Sequence, residues 1–356
     1  MTQMKSRSRQ VLAGTALVAV ALFAAACSTS AASGQSQTGT ANASRNVVTS
    51  TAQATPTATT WALPAGVLQT ITDIDNGPLY PTDAFGSVWV SSHRGQALDR
   101  IDPHDGRVTA RIDLGQNSCS PVYPTPTLLL ISPCDDGTNS MIVNPRTNQV
   151  VGSIPGSVND YAFGSAWFSD ATGTTLQRVD VRTRKRTTIA HVWVGWIAHG
   201  GGRLWVVESG PYDGTWHGGI AEVDPTANRV IRTIPVKNPG AYPALAYAFG
   251  ALWLQGGAEP FFDRVDPVTG HVTTFAIPNY EPNTDLEGGS LVAGMGSVWM
   301  QIAPAVIGRF NPRTGALVGH FPADPQGAGS WPLPAYGSLW VSNFDSEQIW
   351  RDRIPS

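Results

Sequence analysis

Apolar residues along positions 61–356 come in short runs rich in Val, Ile, Leu and Trp, separated by turns built on Gly, Pro, Asn and Asp. No stretch carries the 3.6-residue recurrence of an amphipathic helix. Runs such as Leu98–Ile101 and Phe262–Val265 precede a turn. Others, such as Arg107–Leu114 and Val272–Ile277, follow one, and β-branched residues dominate them. Their length and composition predict strands throughout.

The runs repeat in a fixed order. A Gly-x-small/apolar-Trp unit occurs as Gly86-Ser-Val-Trp89, Gly164-Ser-Ala-Trp167, Gly202-Arg-Leu-Trp205, Gly250-Ala-Leu-Trp253, Gly296-Ser-Val-Trp299 and Gly337-Ser-Leu-Trp340. The Trp-to-Trp spacings are 78, 38, 48, 46 and 41 residues. The first is double the rest, and Leu128-Leu129-Leu130-Ile131 stands at its midpoint as a copy without Trp. Each copy is followed by a turn such as Asp102-Pro-His-Asp-Gly106, Asp266-Pro-Val-Thr-Gly270 or Asn311-Pro-Arg-Thr-Gly315. There Asp or Asn opens the turn, Pro presets φ, and Gly closes it.

One strand before the Gly, one through the Trp and one on each side of the Pro turn make four per repeat. Seven such units predict an all-β fold, a seven-bladed β-propeller of four-stranded blades. The recurrent Trp is expected to fill the wedge between neighbouring blades. The last copy ends on its third strand, Ile349–Ile354, while Gly66–Ile71 reads like the strand after a Pro turn. The N-terminal strand is therefore expected to complete the last blade and remove its open edge.

The chain before the repeats has a different character. Lys5, Arg7 and Arg9 precede an uncharged apolar stretch, Val11–Ala26, and Ala24-Ala25-Ala26 leads to Cys27. That is the layout of a secretory signal, too short for a spanning helix. Cys27 after three small residues resembles the lipobox of bacterial lipoproteins, with Ala24 where Leu is commoner; the resemblance implies lipidation at Cys27. Residues 28–60 are almost wholly Ser, Thr, Ala, Gln, Asn and Gly, with Arg45 the only charge. Such a segment buries too little to offset its ordering entropy and is expected to act as a disordered tether. The domain plan is thus a signal over 1–27, a tether over 28–60 and a propeller over 61–356. The expected location is the outer face of the cytoplasmic membrane, through a lipid anchor.

Charge narrows the partners. Three of the 23 basic residues precede Cys27, leaving 20 against 26 acidic. The one basic run, Arg182-Thr183-Arg184-Lys185-Arg186, falls in an outer turn, so a nucleic-acid surface is excluded. In an exported chain the isolated pair Cys119 and Cys134 is expected to form a disulfide worth about 3 kcal/mol. Neither cysteine has a His or Lys beside it in sequence to make it reactive.

The pattern Phe-Gly-Ser-Val-Trp-Val … Arg-Ile-Asp-Pro-x-x-Gly-x-Val (from Phe85 and from Arg100) resembles extracellular propellers of the virginiamycin B lyase-like and YncE (YVTN)-type superfamily. The resemblance spans residues 61–356 and implies the propeller fold. Streptogramin lyases carry Trp-Phe-Thr-Glu on the second strand of blade after blade. Here Trp205-Val-Val-Glu208 comes closest, while the other copies carry Ser91, Ser169, Gln255, Gln301 and Ser342.

Function is expected on the face of the long, variable loops. Aromatic residues gather there at the start of the innermost strands: Tyr80, Tyr123, Trp196, Tyr242 and Trp331. They either pack the mouth of the central channel or line a pocket for a ring or sugar. His93, Asp170, Glu208, Tyr212, His217, Glu259, Glu287 and Asp345 are the polar groups expected near them. Two functions stay open. One is a binding or scaffolding propeller without cofactor, expected to be a monomer. Its ligand would be a cell-envelope protein, peptide or saccharide held by Tyr80, His93, Tyr123, Trp196, Tyr212, Tyr242 and Trp331. The alternative is a streptogramin-lyase-like, metal-assisted lyase or hydrolase in which Glu208, His217 and Glu259 meet at the channel mouth.

Overall fold

The predicted order of strands is observed in a computed structural model that describes residues 67–134, 139–170, 172–209, 216–240, 242–256, 259–281, 289–324 and 329–355. The apolar segment, Cys27 and the tether lie outside these residues, as do Tyr212 and Glu287. Every described strand belongs to one of seven four-stranded antiparallel sheets. Among the described residues no helix is long and apolar enough to cross a membrane.

Blade 1 shows the plan: Pro78–Ala84 innermost, then Ser87–Ser92, Ala97–Ile101 and Val108–Asp113 at the rim. The first strands of successive blades touch one another all the way round, and that of blade 7 touches that of blade 1. The expected closure is present. Gln69–Ile71 pairs with the third strand of blade 7, Gln348–Arg353, with Thr70 opposite Trp350.

Seven apolar clusters each hold residues of two adjacent blades, so the core is a ring of seams between sheets. At six seams the Trp of one blade is fully buried against the next. Each indole Nε1 donates to the carbonyl five residues before it, as Trp89 to Ala84 at 2.9 Å and Trp299 to Gly294 at 3.0 Å. The buried ring is thereby left without an orphan donor. Second strands are buried along their whole length in every blade but the fourth, as over Ala251–Gln255, which is why they read as apolar runs.

An arginine straps many seams. Arg100 lies over Trp89, donates to Ser87 Oγ at 2.9 Å and reaches the Pro145 carbonyl of blade 2 at 2.9 Å. Arg178, Arg309 and Arg351 repeat this on Trp167, Trp299 and Trp340. Their far ends reach the carbonyls of Pro225, Pro355 and His104 on the following blade. Blade 4 varies the theme: Glu222 stands opposite Trp205 and binds Arg203 and Arg232, and Arg232 reaches Pro267.

Blade 2 has neither partner of the strap, since Leu130 and Ile142 hold the two positions. Its seam with blade 3 is filled from the other side by Phe168, fully buried beside both residues. The other blades carry Val90, Ile131, Val206, Leu254, Met300 or Val341 at that place.

Where the closing strand lies, the fold buries a carboxyl. Asp352 is 3% exposed, and its Oδ2 has no partner among the described residues. Burial raises its pKa to about 6. The native state thus favours the neutral acid, so stability falls as pH climbs from about 4 through 6 and then levels. Asp352→Asn is expected to raise stability by about 2 kcal/mol at pH 7.5. Little gain should remain at pH 4, as urea titrations at the two pH values will read out.

Candidate functional site

The long-loop face is built where first strands begin and second strands end. Three rings predicted from sequence meet there. Tyr80 starts the inner strand of blade 1 within a bulge, at φ 45°, an unusual value for a tyrosine. Its ring lies 4.8 Å from that of Trp331 on blade 7 and 5.9 Å from that of Trp196 at the head of blade 4. Blades 1 and 4 are not neighbours, so the Tyr80–Trp196 contact crosses the axis. All three residues remain part-exposed. Burial pushes the Tyr80 hydroxyl up to about 12.

The other two aromatics take different places. Tyr123 sits deeper, opposite Leu130 at the register of the blade tryptophans. Burial raises its pKa, with Asp160 and Tyr80 adding to the effect. Tyr242 precedes its strand, and its carbonyl accepts from Gly289 N–H at 3.0 Å.

Of the acid–base candidates, Glu208 and His217 lie within electrostatic reach of each other, and Glu259 faces Tyr280. Glu208 lies in a bulge of blade 4 beside the rim strand. Burial raises its pKa, while a hydrogen bond from Thr233 and the charge of His217 oppose the rise. His217 stacks flat on Trp193, with centroids 3.8 Å apart. Glu259 instead acts on Tyr280, whose pKa burial first, and then this carboxylate, raise to about 12. Among the described residues these three do not form a group able to hold a metal ion.

Asp170 shapes its own loop. Its carboxylate accepts the N–H groups of Thr174 and Thr175 at 2.9 and 3.0 Å and the Thr172 hydroxyl at 3.0 Å. Burial raises its pKa, but these bonds outweigh it and hold the group below the ordinary carboxylate range. Asp345 pairs with Arg94 at 2.7 Å across the seam of blades 7 and 1.

The cysteines pair as expected, Cys119 with Cys134. What their sequence neighbours did not reveal is His93, whose Nδ1 lies 2.7 Å from Cys119 Sγ and 3.2 Å from Cys134 Sγ. His93 also packs on Phe344, which Arg94 covers from 4.2 Å. Burial, with the charge of Arg94, lowers the pKa of His93.

His199, which carries no sequence motif, stands on the inner strand of blade 4 in the channel wall. His199 Nδ1 meets Asp160 Oδ2 at 2.7 Å, joining the first strands of blades 3 and 4. A histidine in an inner strand and an aspartate one blade earlier carry no spacing motif. Only the propeller geometry makes them neighbours. The hydrogen bond that His199 donates to Asp160 raises the pKa of His199 above its ordinary value, against a smaller burial effect. The bridge therefore contributes most below about pH 6.5 and is lost as pH rises through the raised value. Half the His199 side chain is exposed, so the contribution is no more than about 1 kcal/mol. His199→Ala is expected to lower the Tm more at pH 5.5 than at pH 8.5 in paired calorimetric scans.

No family model and no curated protein matches the chain. Among solved structures it is similar to Kuenenia stuttgartiensis hydrazine synthase, with a TM-score of 0.61 and 11% identity over 80% of this chain and 97% of that one. It is also similar to the computationally designed Ika8 protein, with a TM-score of 0.58 and 12% identity over 82% and 100% of the two chains. The likeness lies in the fold. At these identities it assigns no chemistry, because propellers host unrelated functions.

Proposed function

We propose that the protein is a membrane-tethered, extracytoplasmic binding propeller that holds a saccharide or peptide of the cell envelope on its long-loop face. The observation that carries this reading is the meeting of Tyr80, Trp196 and Trp331 at the axis, contributed by blades 1, 4 and 7 and left part-exposed. Rigid rings of this kind stack on a sugar or an aromatic side chain at little entropic cost. Polar groups at the blade 7–1 seam, Arg94 and Asp345 with His93 behind them, are placed to orient a ligand. The N-terminal signal and Cys27 supply the location, and the Ser/Thr-rich tether supplies reach.

The test is a thermal-shift screen of residues 58–356, the compact unit, against envelope saccharides, peptides and divalent metals. A ligand present at about 100 times its Kd stabilises by roughly 2.7 kcal/mol, a shift of several degrees. We expect a saccharide or peptide to give that shift, and Trp331→Ala to abolish it relative to the variant's own baseline. A shift from Mg²⁺ or Ca²⁺ that Glu208→Ala removes would contradict the reading and favour metal-assisted chemistry.

A further inference from the structure

The face opposite the aromatic cluster carries the short turns, and its surface is unusually apolar. Among the described residues eleven large hydrophobic side chains are exposed, and seven lie here: Leu68, Phe85, Phe163, Phe249, Val268, Met295 and Tyr336. The other four, Val150, Val151, Ile231 and Val318, are on rim strands.

Five of the seven hold one repeated position, the residue before the turn glycine. Phe85, Phe163, Phe249, Met295 and Tyr336 all have φ between 47° and 54°, and the glycine after each is also positive. Two successive positive φ values define the hairpin turn that favours Asn-Gly, because Asn tolerates this conformation and a bulky side chain resists it. A fold needing only the turn is best served by Asn. Here a large apolar side chain stands there five times and is 40–47% exposed each time. These five side chains, at the turns that follow the innermost strands, form a crown around the channel on this face. Blade 4 has Gly201-Gly202 instead, and Tyr247 of blade 5 covers that place, so close that a Cβ on Gly200 would meet its ring at 1.9 Å.

The course of the chain says what lies against this crown. The closing strand runs antiparallel to Gln348–Arg353, so Leu68 and Gln69 sit at its turn-face end. There the Gln69 side chain donates to Asp105 in the Pro turn of blade 1 at 2.6 Å. The described chain therefore enters the propeller on the crown's own face, and in sequence 39 residues separate Cys27 from that point. The exposed basic residues Arg182, Arg184 and Lys185 stand in the turn of blade 3 that corresponds to the Pro turns, on that face as well.

We infer that the crown of Phe85, Phe163, Phe249, Met295 and Tyr336 docks the propeller on an anionic lipid bilayer. Aromatic and apolar side chains enter the interface, and the Arg182–Lys185 turn meets the headgroups. The tether then limits how far the domain strays, and the crown fixes its orientation, with the Tyr80–Trp196–Trp331 face directed away from the membrane. The inference rests on the tethered reading. Its test omits the anchor, so the two fail separately.

The test uses residues 28–356, without the apolar segment, in co-sedimentation with vesicles of roughly three parts phosphatidylcholine to one part phosphatidylglycerol. The wild-type chain is expected to sediment with the vesicles. Phe85→Asn/Phe163→Asn/Phe249→Asn is expected to bind at least ten-fold more weakly while its Tm stays equal or rises, since Asn suits the turn. As a second reading, Phe249→Trp is expected to be quenched by brominated lipid. Unchanged binding by the triple variant would overturn the inference, as would no vesicle binding by the wild type. So would a dimer in light scattering that the triple variant dissolves, which would assign the crown to a second copy.

Discussion

Deleting residues 1–72 is expected to cost the domain on the order of 5 kcal/mol and to lower its Tm by about 10–20 °C. The deletion removes Ile71 from the seam that holds Trp340, Ile349, Val88 and Val90. It also breaks the pairing of Gln69, Thr70 and Ile71 with Arg351, Trp350 and Ile349. The loss exceeds the sum of those contacts in its consequences, because the third strand of blade 7 becomes an open edge. Aggregation on heating should follow. Differential scanning calorimetry and size-exclusion chromatography check both parts. Thr70→Pro, which removes one donor in the middle of the same strand, should fall between the deletion and the wild type. A deletion variant that melts like the wild type would show that the ring closes without this strand.

The second large effect is expected at the seam of blades 2 and 3. Phe168→Ala should destabilise by about 3–5 kcal/mol, the range for removing a buried ring. The position tolerates so little because Leu130 has already given up the volume that a Trp fills at every other seam. Phe168 and Leu130 are thus one packing unit. Leu130→Trp alone should overpack the seam at a cost of about 1–3 kcal/mol. Combined with Phe168→Val, which opens room on the facing blade, the cost should shrink, leaving a favourable coupling of about 1–3 kcal/mol. Denaturant titrations of the two single variants and the double variant measure it. Additive costs would mean that the two residues pack independently.

The fold was legible because a propeller repeats. Six tryptophans and the Pro turns set the period, and the missing copy was placed by the doubled spacing of 78 residues. Even the Trp-less blade was found at Leu128–Ile131. Its compensating Phe168 was not, since nothing along the chain ties residue 168 to residue 130. The same holds for function. Tyr80, Trp196 and Trp331 could be nominated from their place before inner strands, but their meeting across the axis depends on the ring closing. His93 was seen as a loop residue and the cysteines as a pair, while their contact joins blades 1 and 2. Asp160 and His199 carry no motif, being 39 residues apart on adjacent inner strands. In the sequence Glu208, His217 and Glu259 are candidates to meet across the channel mouth. The bulge at Glu208 turns it toward Thr233 at the rim, and Glu259 turns to Tyr280 in the connection to the next blade.

Binding of ligand at the Tyr80–Trp196–Trp331 cluster is read out by acrylamide quenching of tryptophan emission. The six blade tryptophans are buried to within 1% exposure and are shielded from the quencher, whereas Trp196 and Trp331, like Trp193, Trp216 and Trp350 away from the cluster, are part-exposed. With a saturating saccharide or peptide from the screen, the account predicts that quenching falls in the wild type and that Trp196→Phe/Trp331→Phe shows little change. A ligand that binds tightly yet leaves wild-type quenching unchanged would place its site elsewhere and contradict the account.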